Sequence, residues 1–285
     1  MDDYFVKSFA KINLFLKILN KRADNYHNIH SLFLEIDFYD EIIFKPSLEF
    51  KITYEGINVP TDKTNLIFKA YQLISSKYNI KDAVSIHLKK NIPLFAGLGG
   101  GSSNAAQTLL ALNKMWNLKI KKNELERLGL SIGADVPFFI NGGLQEVKGI
   151  GDKLLPLLFD DNESYFLLLV VPDVKISTKW AYEKINKYLH SNKKLYKFRG
   201  SLNEFDWELY DNDFEELVIS TYPEIGKIKG DLLKSGAKFA SLSGSGSTVF
   251  GVFSDFVEAL EAERKFSSYQ TIQTIPNMKK GPFGA

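Results

Sequence analysis

The chain has 285 residues, 36 basic against 34 acidic side chains, 45% apolar and 25% charged residues, and no cysteine. That length can bury two domains or one large one, and 22 Phe with 13 Tyr exclude a disordered polymer. A net charge of +2 offers no field for nucleic acid or an anionic membrane, and the missing cysteines exclude thiolate catalysis, thiol redox chemistry, cysteine-based zinc sites and a disulfide scaffold.

The start, MDDYFVKSF, has no cationic stretch followed by an apolar one, so no leader is read. The purest apolar run, Tyr165 to Val171, is far shorter than the roughly 20 residues needed to span a bilayer. A soluble cytoplasmic protein with small-molecule partners is expected, bound to neither nucleic acid nor membrane, its oligomeric state left open.

From Val6 to Leu19 the chain alternates as a strand, with Ala10, Ile12, Leu14, Leu16 and Ile18 on one face and Phe9, Lys11, Asn13, Phe15 and Lys17 on the other. After a polar turn, strands are predicted at Ser31 to Asp37 and Glu41 to Lys45, then a helix over Thr64 to Tyr78 and a strand over Val84 to Leu88. Ser102 or Ser103 is the expected N-cap of a helix running through Trp116. Another helix spans Lys122 to Leu130 and leads into the turn-like SIGADVPFF, and Tyr165 to Pro172 reads as a buried strand. Residues 188–207 are polar and weakly periodic, a long surface connection. Beyond them come helices at Asp213 to Ser220 and Pro223 to Ser235, strands at Phe239 to Leu242 and Thr248 to Phe253, and a helix from Asp255 to Phe266. Strands and helices mix without strict alternation, so the fold class is α+β.

Four glycines occupy five positions, Gly97, Gly99, Gly100 and Gly101, directly before a helix. Glycine lets backbone N–H groups approach an anion closely, and the first helical turn adds free donors and partial positive charge. This is a phosphate cradle, although it fits neither the Walker A spacing nor GxGxxG. A second cluster, Ser241 to Thr248, reads alone as a tight hairpin but can add backbone donors around a polyphosphate. Asp135 sits between a Gly turn and an apolar run, where a carboxylate is most often a turn or cap residue. Beside Lys11 it could instead take a proton from an attacking hydroxyl.

Together, Ser8 to Leu14, Tyr26-His27, Pro93 to Ala106, Gly133 to Phe139 and Ser243 to Ser247 resemble the GHMP kinases, in the family's order and across nearly the whole chain. The likeness is strongest to the branch acting on a cytidine diphosphate-linked methylerythritol in non-mevalonate isoprenoid synthesis. It implies an α+β two-domain GHMP kinase fold, with a ribosomal-protein-S5-like ATP-binding domain over 1–156 and a ferredoxin-like domain over 157–285. It implies ATP as phosphoryl donor, Mg²⁺ held mainly by the nucleotide phosphates, and Lys11 and Asp135 as the catalytic pair toward the 2-hydroxyl. Pro93, Leu94, Phe95, Ala96, Gly97, Leu98, Gly99, Gly100, Gly101, Ser102 and Ser103 match the ATP phosphate loop, with Asn65, Lys90 and Asn104 around adenosine and phosphate. Asn13, Tyr26, His27, Thr178, Tyr182, Gly244 and Ser245 fall on the substrate side, Tyr26 stacking on cytosine and His27 reading its edge. Asn25 and Phe95-Ala96 depart from the pattern, replacing a glycine and smaller residues. A mevalonate- or homoserine-type kinase and a catalytically silent nucleotide-binding regulator are the rival readings.

Overall fold

A computed structural model describes residues 3–157, 165–189, 207 and 210–277. Its first sheet draws its strands from the first half of the chain: β1 (Tyr4–Lys21), β2 (His27–Ser47), β3 (Lys51–Gly56), β4 (Ala83–Lys90), β5 (Leu144–Gly149) and β6 (Lys153–Pro156). The order is β3-β4-β2-β5-β6 with β1 along the other edge of β2, and only β3 and β4 run parallel. A second, antiparallel sheet has the order β10-β7-β9-β8, from β7 (Phe166–Val171), β8 (Phe239–Leu242), β9 (Val249–Phe253) and β10 (Gln270–Thr274). The helices are α1 (Leu66–Lys77), α2 (Gly100–Met115), α3 (Lys122–Ile132), α4 (Val136–Asn141), α5 (Thr178–Lys184), α6 (Glu215–Thr221), α7 (Pro223–Lys234) and α8 (Phe256–Glu263). None of the described helices is long and apolar enough to cross a membrane.

The α+β reading holds, with three local corrections. The two short strands expected at Ser31 and Glu41 are one strand, β2, of 21 residues, because β1 pairs along almost its whole length. The stretch read as a turn after Gly133 contains helix α4, which starts on Pro137 in its first turn. Strand β1 is not a simple two-faced ribbon, since bulges interrupt its register at Phe9/Ala10 and Asn13/Phe15. Past the second bulge the faces exchange: Phe15 joins Ala10, Ile12 and Leu14 in one apolar cluster, whereas Leu16 and Ile18 enter the other. Most of the connection read at 188–207 lies outside the described residues.

One core cluster lies between the two sheets, where Ala10, Ile12, Leu32 and Leu34 meet Leu167, Leu169, Phe250 and Val252. The other gathers the helical side, including Ile86, Leu109, Phe138, Leu168 and Leu232. Residues of β7 alternate between the two clusters, which is why its sequence is an unbroken apolar run.

The edge of β2 opposite β1 carries β5 at Ile29–Leu34 and β4 at Glu41–Ser47. The gap between them is filled from the far end of the chain: Asp37 N–H donates to Ile275 O and Asn277 N–H to Glu35 O. The Glu35 carboxylate also accepts from Asn277 Nδ2 (3.0 Å) and Gly143 N (3.3 Å). Burial pushes the Glu35 carboxyl up to about 7, against the pull of those two hydrogen bonds. A carboxyl whose folded pKa exceeds its unfolded one stabilises the fold fully below the unfolded value and loses that contribution as pH rises through the folded value. Stability is therefore expected to fall between about pH 4.5 and 7 by up to roughly 3 kcal/mol from this group. Denaturant titration of Glu35→Gln should show that slope removed.

Candidate active site

Both glycine clusters open into one cavity of about 940 Å³, which reaches from Tyr26 and Tyr182 past Lys11 and Asp135 to Leu66 and Pro93. Helix α2 begins at Gly100 with Gly99 as its N-cap, three or four residues before the serine caps predicted, at φ +70° and without a side-chain cap. Ser103 N–H already closes onto Gly99 O, and the Ser103 hydroxyl accepts from Ser8 (2.8 Å). The amides of Gly100, Gly101 and Ser102 occupy the first turn, where a helix leaves its N–H groups without internal acceptors. An anion there meets open donors and the positive end of a 16-residue helix.

Gly97 has φ +75°, and a β-carbon on it would collide with the Ser243 carbonyl oxygen. The two glycine loops thus touch backbone to backbone, joined by Ser243 Oγ to Gly97 O (2.9 Å) and Thr248 N to Ala96 O (3.2 Å). At Gly99 a β-carbon would lie 2.7 Å from the Phe139 ring and 3.2 Å from Lys11 Cγ, so the cradle rests on the lysine's stem. Phe95 adopts φ +56°, and its ring is 61% exposed along the cavity.

Lys11 projects from β1 with its ammonium 3.9 Å from Asp135 Oδ2, 2.5 Å from Asn13 Oδ1 and 4.7 Å from the centre of the Phe33 ring. Burial lowers the Lys11 pKa, and the charge of Asp135 opposes that shift. Asn13 is turned by its other end, since its Nδ2 donates to Ser31 Oγ (3.0 Å), which in turn donates to Phe15 O. Asp135 is the residue before α4, left about one-third exposed to the cavity. Such an arrangement can polarise a hydroxyl and accept its proton beside an anion-binding helix end.

At the other end, His27 stacks on Tyr182 (centroids 5.4 Å, 25° between planes), and its Nε2 donates to Asn186 Oδ1 (3.0 Å). Tyr26 stands 57% exposed at the rim. Burial first, then the charge of Asp135, raises the Tyr182 phenol pKa, so it stays a neutral donor. Thr178 and Ser245 share a hydrogen bond (3.1 Å), bringing α5 to the second loop.

Of the predicted residues, Asn65, Lys90, Ser103 and Asn104 do not line this cavity. Asn65 caps α1, accepting from Ile67 N and donating to Pro60 O. Lys90 and Asn104 lie beneath the cradle on Asp40, a residue that falls in the gap between the two strands predicted there and belongs to no motif. The buried Asp40 carboxylate accepts from Lys90 Nζ (2.5 Å), Asn104 Nδ2 (2.9 Å) and the amides of Asn91 and Ile92 (both 2.8 Å). One side chain thereby joins β2, the start of the first glycine loop and helix α2. Burial lowers the Lys90 pKa against the attraction of Asp40.

Residues 65–143 match the GHMP kinases N terminal domain and residues 192–271 the GHMP kinases C terminal domain. The 4-diphosphocytidyl-2-C-methyl-D-erythritol kinase of Thermodesulfovibrio yellowstonii is 42% identical over 94% of this chain and 97% of its own. That of Prosthecochloris aestuarii is 39% identical over 97% and 98%. A crystal structure of a 4-(cytidine 5'-diphospho)-2C-methyl-D-erythritol kinase superposes with a TM-score of 0.79 at 27% identity, covering 96% of this chain and 100% of that one. Homoserine kinase from Cytophaga hutchinsonii shares the fold, with a TM-score of 0.72 at 18% identity over 99% and 96% of the two chains.

Removing one partner of a buried ion pair strands the other charge, at a cost of about 3–5 kcal/mol. Asp40→Ala should lose stability on that scale in chemical denaturation, and adding Lys90→Met should recover part of it.

Proposed function

The chain belongs to the GHMP kinases, in the branch of the 4-diphosphocytidyl-2-C-methyl-D-erythritol kinases, and we propose that it transfers the γ-phosphoryl group of ATP to the 2-hydroxyl of that cytidylyl alcohol. The observation that carries the reading is the Lys11–Asp135 pair, 3.9 Å apart beside the open amides of Gly100 to Ser102. ATP is one substrate; no group of three or more His, Asp or Glu among the described residues could hold a metal ion, so Mg²⁺ would come with the nucleotide and would supply charge neutralisation at its phosphates. Its β- and γ-phosphates rest on the α2 N-terminus, where fixed N–H dipoles face charge that grows during transfer.

The acceptor oxygen attacks the γ-phosphorus, the bond to the β-phosphate oxygen breaks, the hydroxyl proton passes to Asp135 and ADP leaves. Lys11, held by Asn13, places its ammonium between carboxylate and transferring group, favouring ionised Asp135 before reaction and offsetting phosphoryl charge during it. Tyr26, His27 and Tyr182 form an aromatic end suited to a pyrimidine ring, with Thr178 and Ser245 supplying hydroxyls.

Asp135→Asn should lower kcat by roughly a thousandfold, within the range spanned by general-base removal, with ATP affinity by calorimetry changed less than about twofold. A rate near that of the unaltered protein would take Asp135 out of the role of base. ADP release from Mg-ATP, followed across a panel of alcohols, should occur with the cytidylyl methylerythritol and not with mevalonate or homoserine. Turnover of either of those would move the chain to another GHMP activity, and ATP binding without turnover would make it a regulator.

A further inference from the structure

Lys11 and its partner Asn13 lie under the second glycine loop: a β-carbon on Gly244 would sit 3.4 Å from Lys11 Nζ and 3.5 Å from Asn13 Oδ1. A hairpin tip between β8 and β9 with glycine at φ +56° and +92° has little stiffness of its own. Besides its contacts to Ala96, Gly97 and Thr178, the loop is held by a four-residue segment, Asn212-Asp-Phe-Glu215, distant in sequence from both β1 and the loop.

Asn212 is 2% exposed, and its Nδ2 donates to both Leu242 O (2.7 Å) and Gly244 O (2.8 Å), while its Oδ1 accepts from Phe214 N (3.0 Å). Its backbone bridges to Leu16 of β1, where Leu16 N–H donates to Asp211 O and Asp213 N–H to Leu16 O. Asp213 accepts from Ile18 N (2.7 Å) and pairs with Lys17 (3.3 Å). Phe214 meets Tyr182 edge to face (5.0 Å), and Glu215 accepts from Ser241 Oγ and Leu242 N (both 2.9 Å). Each of the four side chains therefore contacts β1, the base of the second loop or the aromatic end of the cavity.

We propose that Asn212 is a positioning residue, its amide fixing the second glycine loop to β1 so that the loop covers the Lys11–Asn13 pair at the geometry phosphoryl transfer needs. The inference rests on the kinase reading for its rate readout alone. Because the amide's two N–H bonds end on carbonyls, Asn212→Asp keeps the shape and turns both contacts repulsive. Misplacing the covering loop by about 1 Å should lower kcat by about a hundredfold. The KM for ATP, set by the α2 cradle, should change by less than about threefold.

A purely structural role predicts a lower melting temperature with kcat unchanged per folded molecule, and that result would overturn the proposal. Hydrogen exchange supplies a readout independent of turnover: amides of Gly244 to Ser247 should exchange faster in the variant while those of Gly100 to Ser103 keep their rates. Equal protection of the second loop in both proteins would also overturn it. If Asn212→Asp does not fold, Asn212→Ala, which removes the donors without adding charge, is expected to show the same split. Should the unaltered protein fail to turn over the cytidylyl alcohol, the kinase reading falls and the exchange comparison still decides the positioning role.

Discussion

The contact on which the active-site geometry depends is the backbone-to-backbone passage of Gly97 against Ser243. A side chain at Gly97 would occupy the space of the Ser243 carbonyl, so its absence is what lets the two glycine loops meet backbone to backbone there, beside the Thr248 N to Ala96 O bond. Everything that the cavity presents follows from that closure: amides on one side, the Lys11 ammonium in the middle and the hairpin tip above it.

Each loop is held from behind by buried side chains that do not enter the cavity. Below the first, Asp40 gathers two backbone amides, a lysine and an asparagine. Below the second, Asn212 and Glu215 satisfy the carbonyls and amide of Leu242 to Gly244. Glycine-rich segments are entropically costly to order, and fully satisfied buried polar groups are a means of confining them to one conformation. The apolar cluster between the sheets, with Ile12 and Leu34 against Leu167 and Phe250, keeps the two supports in fixed relation.

Acid–base chemistry is concentrated by the same construction. Lys11 loses water to burial yet faces Asp135, so its charge is sustained by a partner that is itself open to the cavity. Tyr182 is half-buried, its ring against His27 and Phe214 and its phenol near the same carboxylate, which keeps the phenol neutral and leaves the ring available for stacking. One carboxylate thus influences both the transfer point and the aromatic end.

The sequence by itself determined the chemistry-bearing parts whose signals are local. Alternation located β1, four glycines before an apolar helix located the cradle, and the ordered motifs identified the family. Lys11, Asp135, Asn13, Tyr26, His27, Thr178 and Tyr182 all line the cavity because each belongs to such a motif or to a stretch aligned with one. Sequence could not show that Lys90 and Asn104 meet Asp40 beneath the cradle or that Asn65 caps α1, since the partners Asp40, Ser8 and Pro60 are chosen by packing. Nor could it show the bulge at Asn13/Phe15 that exchanges the faces of β1, because a bulge is decided by the register of the paired strand. The start of α2 at Gly100 and the staple at Asn212 were decided likewise: a left-handed glycine and a buried amide acquire their meaning from backbone groups brought alongside them by the fold, in the case of Asn212 the carbonyls of Leu242 and Gly244, while Leu16 of β1 bonds the backbone on either side of it.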